Sequence, residues 1–436
     1  MFLKSSNEGA SVRKPGYSST NFLCRGYDSL PQSVLLNVFK YLHEDELRRH
    51  VIFVCKKWRA CAEHKSLWKT LEFAGSKAKN ALIISRIMKY DSAETIILRR
   101  IKEPAPVVQQ ICRFNRNISH LTLRHCQEID EDCLRQLLET CKNLKSLDLK
   151  GTGVKLSIVC EELACAESLS SLNIGDNKHL TVPLVASIIV NCHHLVGFHL
   201  CKFQPANKVF LTDVDIGLLF ANTNYRLEAL TLDCSSFGRP TFSAIMKCRK
   251  LEYLCLNCAH NLEGGVFETM AETLTRLRAL KVRFGYQIAD DNFKKYFGCR
   301  ENFDLEEVDF TGCAKIGSGG LKSLADSCPK VKSLVLRNCP NVVTLDEVFC
   351  KCPGIETLNV AFCGKFNFSD NCVPANLKQL FISDYTRFER FVKNSRNDKV
   401  AVRICQSEYN KTYKTLYVNA FVSFVAKSLG LYRMSH

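Results

Sequence analysis

Long apolar runs are missing from this chain. No stretch approaches the roughly 18 consecutive apolar residues that a membrane-spanning helix requires, so no span and no membrane partner are expected. Met1 to Tyr17 lacks the short apolar core of a secretory leader, which points away from secretion. A dense basic block is also missing. The formal charge is +16, from 60 Lys and Arg against 44 Asp and Glu, but it is spread along the whole length, so direct nucleic-acid binding is not expected. No Ser-His-Asp or paired-carboxylate constellation stands out, and Gly317-Ser318-Gly319-Gly320 lacks the lysine of a phosphate loop. The chain reads as non-enzymatic. Tryptophan is scarce, with only Trp58 and Trp68.

What the chain has in abundance is leucine at a fixed spacing. Ile118, Leu121, Leu123 and Cys126 make a first copy of L-x-x-L-x-L-x-x-C, and Leu144, Leu147, Leu149 and Thr152 a second. Further copies begin at Leu169, Leu195, Leu227, Leu251, Leu277, Leu305, Val331, Ile355 and Leu377, with starts 22 to 32 residues apart. That period and core are the signature of leucine-rich repeats. The alternating L-x-L predicts a short strand. Cys133, Leu134, Leu137 and Leu138 then follow helical spacing, so a helix should pack behind it. No repeat can bury its own apolar face, but a stack can, so the expectation is a curved α/β solenoid with parallel strands concave and helices convex.

The 24 cysteines fit this frame. Cys126, Cys313, Cys339 and Cys363 follow the strand; Cys141, Cys192, Cys248, Cys328 and Cys352 end the helix. Small thiols suit both buried places, and reduced structural thiols imply a cytoplasmic or nuclear setting. Cys192-His193-His194 with His199 and Cys201 suggests a metal cluster, but repeat geometry divides these residues between a helix end and a strand. No metal and no cofactor are expected. Cys255 and Cys258 form a zinc-like pair with no second pair and read as structural.

Before the repeats, residues 1–26 are polar and read as a disordered tail. Residues 27–72 change character: Leu30-Pro31, Leu35-Leu36, Phe39, Tyr41-Leu42, Glu44-Asp45-Glu46-Leu47, Val54-Cys55-Lys56-Lys57-Trp58 and Leu67-Trp68. Helical stripes there predict three short helices with a core too small to stand well alone. This segment resembles an F-box, with its two tryptophans at the positions where that family carries them. With cysteine-containing repeats behind it, the chain resembles the F-box/leucine-rich-repeat family. The resemblance implies a substrate receptor of an SCF-type cullin–RING ubiquitin ligase. A Skp-family adaptor would bind Leu30, Pro31, Leu35, Phe39, Leu42, Val54, Cys55, Trp58 and Trp68. Cullin and RING subunits would join through it, and the repeats would hold a protein destined for the proteasome. The alternative is a repeat scaffold or inhibitor without a ligase.

Residues 73–117 read as a linker and N-terminal cap, residues 118–385 as the repeats, and residues 386–436 as a basic loop, a last strand (Val400, Val402, Ile404) and a cap helix along Val418 to Leu429. An insertion at Phe203 to Lys208 lengthens the 195–226 repeat. On the concave face, Tyr253, Lys281, Arg283, Asp309 and Arg337 make a candidate substrate patch. Arg283, Asp309 and Arg337 should form one row in which two basic residues exceed one acidic residue and attract an acidic or phosphorylated segment.

Overall fold

In the computed structural model, the structure describes residues 30–42, 44–75, 79–127, 129–201, 212–221, 226–300, 303–364, 374–383, 401–405 and 413–417. The insertion at Phe203 to Lys208, the basic loop and the C-terminal helical stripe lie outside these residues.

One apolar column runs through the molecule. Leu71 stands in register with Ile96, then Leu121, Leu147, Leu172, Phe198, Leu230, Leu254, Leu280, Val308, Leu334, Leu358, Leu380 and Val402. Each residue is the middle apolar position of its repeat, so the leucine spacing is also the strand register. The strands are β1 (Thr70–Ala74), β2 (Thr95–Arg99), β3 (His120–Arg124), β4 (Ser146–Asp148), β5 (Ser171–Asn173), β6 (Gly197–Leu200), β7 (Ala229–Asp233) and β8 (Tyr253–Asn257), followed by β9 (Ala279–Val282), β10 (Glu307–Asp309), β11 (Ser333–Val335), β12 (Thr357–Asn359), β13 (Gln379–Ile382), β14 (Ala401–Cys405) and β15 (Tyr413–Tyr417). They form one sheet in strict chain order, parallel through β14, with β15 antiparallel at the end. A helix follows most strands and covers the outer side of this leucine-rich-repeat solenoid. The ladder starts at Thr70, two strands before the first clean leucine copy, and β1 crosses the boundary placed at residue 73. Leu71, Phe73, Ile96 and Leu98 alternate inward there, but the turns after these strands lack the cysteine that marks later copies.

The cysteines after the strands have a specific task. Cys313 Sγ donates to the Val282 carbonyl at 3.3 Å, Cys339 to Phe310 at 3.1 Å and Cys363 to Leu336 at 2.8 Å. Each thiol satisfies a buried carbonyl of the preceding repeat, which would otherwise lie orphaned in the core. Thr152 and Asn177 occupy the same position and both donate to the Leu149 carbonyl, at 2.8 and 2.9 Å.

Carboxylates stitch the helices together. Asp213 accepts hydrogen bonds from the backbone N–H groups of Gly238 and Thr241, and Asp290 from those of Gly317 and Gly320. Each caps the start of the next repeat's helix, where backbone donors have no partner of their own. Just before the strands, Glu252, Arg278, Glu306, Lys332, Glu356 and Lys378 stand side by side in adjacent repeats. Their signs alternate, and Glu306 is held by both Arg278 (3.0 Å) and Lys332 (2.6 Å).

Candidate functional site

Two surfaces have the character of docking sites, one at each part of the chain. The first is on the N-terminal module. Helices Gln32–Phe39, Glu44–Arg49 and Lys56–Ala62 bury Leu35, Phe39, Leu47, Val51 and Cys61 between them. The adjoining stripe of the first helix is apolar too, but open to solvent. Val34, Val38 and Tyr41 are exposed, Tyr41 by 91%, and they are joined by Phe53 (70%) and Val54. These five lie within residues 34–54, a concentration of exposed apolar groups that marks an interaction surface.

This placement corrects part of the sequence-derived adaptor set. Leu35, Phe39 and Trp68 are buried in the protein itself and cannot touch a partner. Leu30, Leu42 and Trp58 are half-buried against the same core, with Phe39 and Trp58 edge-to-face at 5.2 Å. Cys55 caps a helix, accepting the Trp58 N–H on its sulfur at 3.4 Å. Of this set, only Pro31 and Val54 are exposed, Val54 by 45%. The helical stripe of Leu35 and Phe39 forms the small core that the sequence predicts, and these two residues of the adaptor set that the resemblance implies are enclosed in it. The signal for the outer face was present one residue earlier, at Val34 and Val38, which also stand i, i+4 apart.

Trp68 joins the module to the solenoid. Its indole N–H donates to the Ala62 carbonyl at 2.8 Å, its ring stacks on Tyr90 at 4.9 Å, and the guanidinium groups of Arg48 and Arg86 lie over it at 5.2 and 5.5 Å. Arg48 belongs to the module, whereas Arg86 and Tyr90 belong to the first helical layer of the solenoid and its end. One side chain thus holds the two parts in a defined orientation.

The second surface is a trough of about 630 Å³ on the concave face, lined from Arg124 through Lys150, His199, Cys201, Tyr253 and Asn257 to Arg283 and Phe284. Strand alternation puts these side chains inside, because the leucines between them face the core. His199 accepts or donates a 2.7 Å hydrogen bond with Thr231 Oγ1 and meets Tyr253 edge-on at 6.1 Å. Enclosure by the trough walls lowers its pKa to about 4, so it is neutral at physiological pH. No group of three or more His, Cys, Asp or Glu among the described residues is arranged to hold a metal.

The predicted substrate patch is rearranged by register. Asp309 pairs with Lys281 and Val335, not with Arg283; Arg283 stands two residues further along and reaches diagonally across the repeat. Its Nε and Nη2 donate to Asp309 Oδ2 at 2.8 and 2.6 Å, and Nη1 donates to Asn257 at 3.0 Å. Lys281 likewise reaches Glu307 at 2.7 Å and lies over the Tyr253 ring at 4.9 Å. Burial disfavours the Lys281 charge, but Glu307 and Tyr253 more than offset it and raise its pKa. Arg337 covers the Phe362 ring at 5.0 Å. The expected single row is therefore absent from this patch: Asp309 stands level with Lys281, Arg283 reaches it diagonally, and Glu307 engages Lys281. Tyr253, Lys281, Arg283 and Asp309 do lie together, with Arg337 to one side.

Comparison with known proteins follows the same division. Residues 27–74 match the F-box-like family model. An F-box/LRR-repeat protein of Arabidopsis thaliana is 21% identical over 259 residues, which cover 58% of this chain and 78% of that protein. Among solved structures, the complex of Rad7 and Elc1 in yeast includes a chain that matches with a TM-score of 0.53 at 16% identity, covering 93% of this chain and 92% of that one. The structural likeness is one of fold. No helix of the described residues is long and apolar enough to cross a membrane.

Proposed function

We propose that this chain, an F-box-like module joined to a leucine-rich-repeat solenoid, is the substrate-recognition subunit of an SCF-type cullin–RING ubiquitin ligase. The observation that carries the reading is the pairing of two surfaces: an apolar face on an F-box-like module, and a polar trough on the repeats. A Skp-family adaptor covers Pro31, Val34, Val38, Tyr41, Phe53 and Val54. Cullin and RING subunits attach through that adaptor, and the trough holds the protein to be ubiquitinated for proteasomal degradation. The chain itself is non-catalytic, since the ubiquitin chemistry resides in its partners. Thiols engaged one by one with backbone carbonyls support a reducing, cytoplasmic or nuclear setting.

The test is affinity purification of the full chain from cells with the proteasome inhibited. Wild type should bring down a Skp-type adaptor and a cullin. Tyr41→Ala combined with Phe53→Ala should lose both without lowering thermal stability, because both residues are exposed. Wild-type protein that never brings down an adaptor would refute the ligase reading.

A further inference from the structure

The two ends of the trough differ in chemistry. At the end nearer the module, Arg124 and Lys150 occupy the same position on adjacent repeats, two residues beyond the paired Thr122 and Asp148. Their backbones are therefore about 4.8 Å apart. Asp148 is the nearby carboxylate, and it faces the floor: Oδ1 accepts the Lys150 N–H at 3.1 Å and Oδ2 accepts Arg124 Nε at 2.6 Å. Its side chain is 12% exposed, against 45% for Arg124. The negative charge is covered while the outer edge of the guanidinium is open.

Lys150 carries no such partner. Its Nζ extends across the next repeat, where the equivalent residue is Gly175, to lie 3.3 Å from Cys201 Sγ. Among the described residues, no carboxylate lies within ion-pair distance of this ammonium. Lys150 thus presents its ammonium into the trough outside any ion pair, whereas Asp148, Glu307 and Asp309 engage Arg124, Lys281 and Arg283; the remaining carboxylate of the lining, Asp233, accepts the Ser235 N–H.

The far end is aromatic. His260 stacks on Tyr286 at 5.1 Å, and Phe284 lies 6.2 Å from each ring. Phe284 sits at a φ of 59°, a conformation that costs a bulky residue energy. Its ring covers Gly312, where a Cβ would come within 2.5 Å of Phe284 Cδ1. Tyr286 is 46% exposed. The backbone therefore holds an aromatic cluster at the trough's rim.

We propose that the trough binds an extended segment of a partner protein that carries an anionic side chain, carboxylate or phosphoryl, on Lys150 and an aromatic or apolar side chain on the Phe284, Tyr286 and His260 cluster. This rests on the reading of the solenoid as a substrate receptor and adds the substrate's chemistry. The spacing follows from the strands. Lys150 Nζ lies at the repeat of Cys201, three repeats before Phe284, or about 14 Å along the sheet, which an extended chain spans in about four residues. Arginine and lysine donors take either carboxylate or phosphate.

The test uses short synthetic peptides and the full-length chain, with binding read by fluorescence anisotropy. One series places Glu or phosphoserine about four residues from a Phe; a second moves the two further apart; a third replaces the anion with Gln. The correctly spaced anionic peptides should bind best, and comparison of Glu with phosphoserine identifies which anion the site takes. Lys150→Glu should weaken those peptides by about tenfold or more and leave the Gln series unchanged. Tyr286→Ala, at an exposed position, should remove the preference for Phe. Lys150 stands in no ion pair among the described residues and its ammonium meets only Cys201, so Lys150→Glu should melt close to wild type and still bring down the adaptor. Peptides that bind equally at any spacing, or equally to Lys150→Glu, would overturn the proposal. If the adaptor binds while the peptides do not discriminate, the trough assignment fails and the ligase reading stands; the converse result separates them the other way.

Discussion

Replacing Trp68 by Ala distinguishes an internal joint from a partner contact. The side chain is 2% exposed, hydrogen-bonded to Ala62, stacked on Tyr90 and covered by Arg48 and Arg86. Truncating a buried tryptophan costs about 3–5 kcal/mol. The F-box-like segment spans residues 27–74; at about 0.05–0.15 kcal/mol per residue, a module of that size holds only about 2–7 kcal/mol. The loss is thus comparable to the module's whole stability. Residues 32–62 should open locally while the strands from β3 onward stay protected, because repeats far from the joint make only neighbour contacts. Amide hydrogen exchange followed by mass spectrometry reads this directly: protection should fall in peptides from 32–62 and 80–90 and persist in peptides from 118–300. Trp68→Phe keeps the stacking and loses the hydrogen bond, so it should open the module less. If Trp68→Ala leaves exchange in residues 32–62 unchanged and only abolishes adaptor binding, Trp68 is a partner contact and the assignment of the joint is wrong.

Other consequences are as specific. His199 stays neutral in the fold down to about pH 4, while in the unfolded chain it takes a proton as pH falls through about 6.5. Stability should therefore fall as pH drops through that window, by up to about 3 kcal/mol, and His199→Gln should flatten the loss in chemical denaturation. Hydrogen bonds from Lys332 and Arg278 hold the Glu306 carboxyl down at about 2 against an ordinary 4.5. Its contribution is present above pH 4.5 and lost as pH falls toward 2, so Glu306→Gln should narrow the difference between neutral and acid melting temperatures and reduce their salt dependence. Cys339→Ala removes a buried thiol and its bond to the Phe310 carbonyl and should cost about 1–2 kcal/mol, whereas Cys339→Ser, which keeps a donor, should cost less in urea titrations.

Repeat periodicity determined a great deal here without any structure. Every copy from Ile118 to Leu377 lies in the ladder, and the residue between Leu121 and Leu123, or between Leu280 and Val282, faces the concave side because strands alternate. The apolar, tryptophan-bearing segment before the repeats was equally legible as an F-box resemblance. Three things were decided only by tertiary structure. The first is which apolar stripe of a small helical module faces inward: Leu35 and Phe39 are as apolar as Val34 and Val38, and only the packing of three helices assigns one pair to the core and the other to solvent. The second is the joint, since Trp68, Tyr90, Arg48 and Arg86 are scattered through 43 residues of chain and meet only when module and solenoid dock. The third is charge balance on the concave face. Long side chains reach diagonally between repeats, so Arg283 pairs with an Asp309 outside its own row, Lys281 finds Glu307, and Lys150 passes over Gly175. Linear spacing locates the backbone of each repeat to within about one residue, but a lysine or arginine side chain is longer than the distance between strands. Which cation remains open to a ligand is therefore a property of the folded stack.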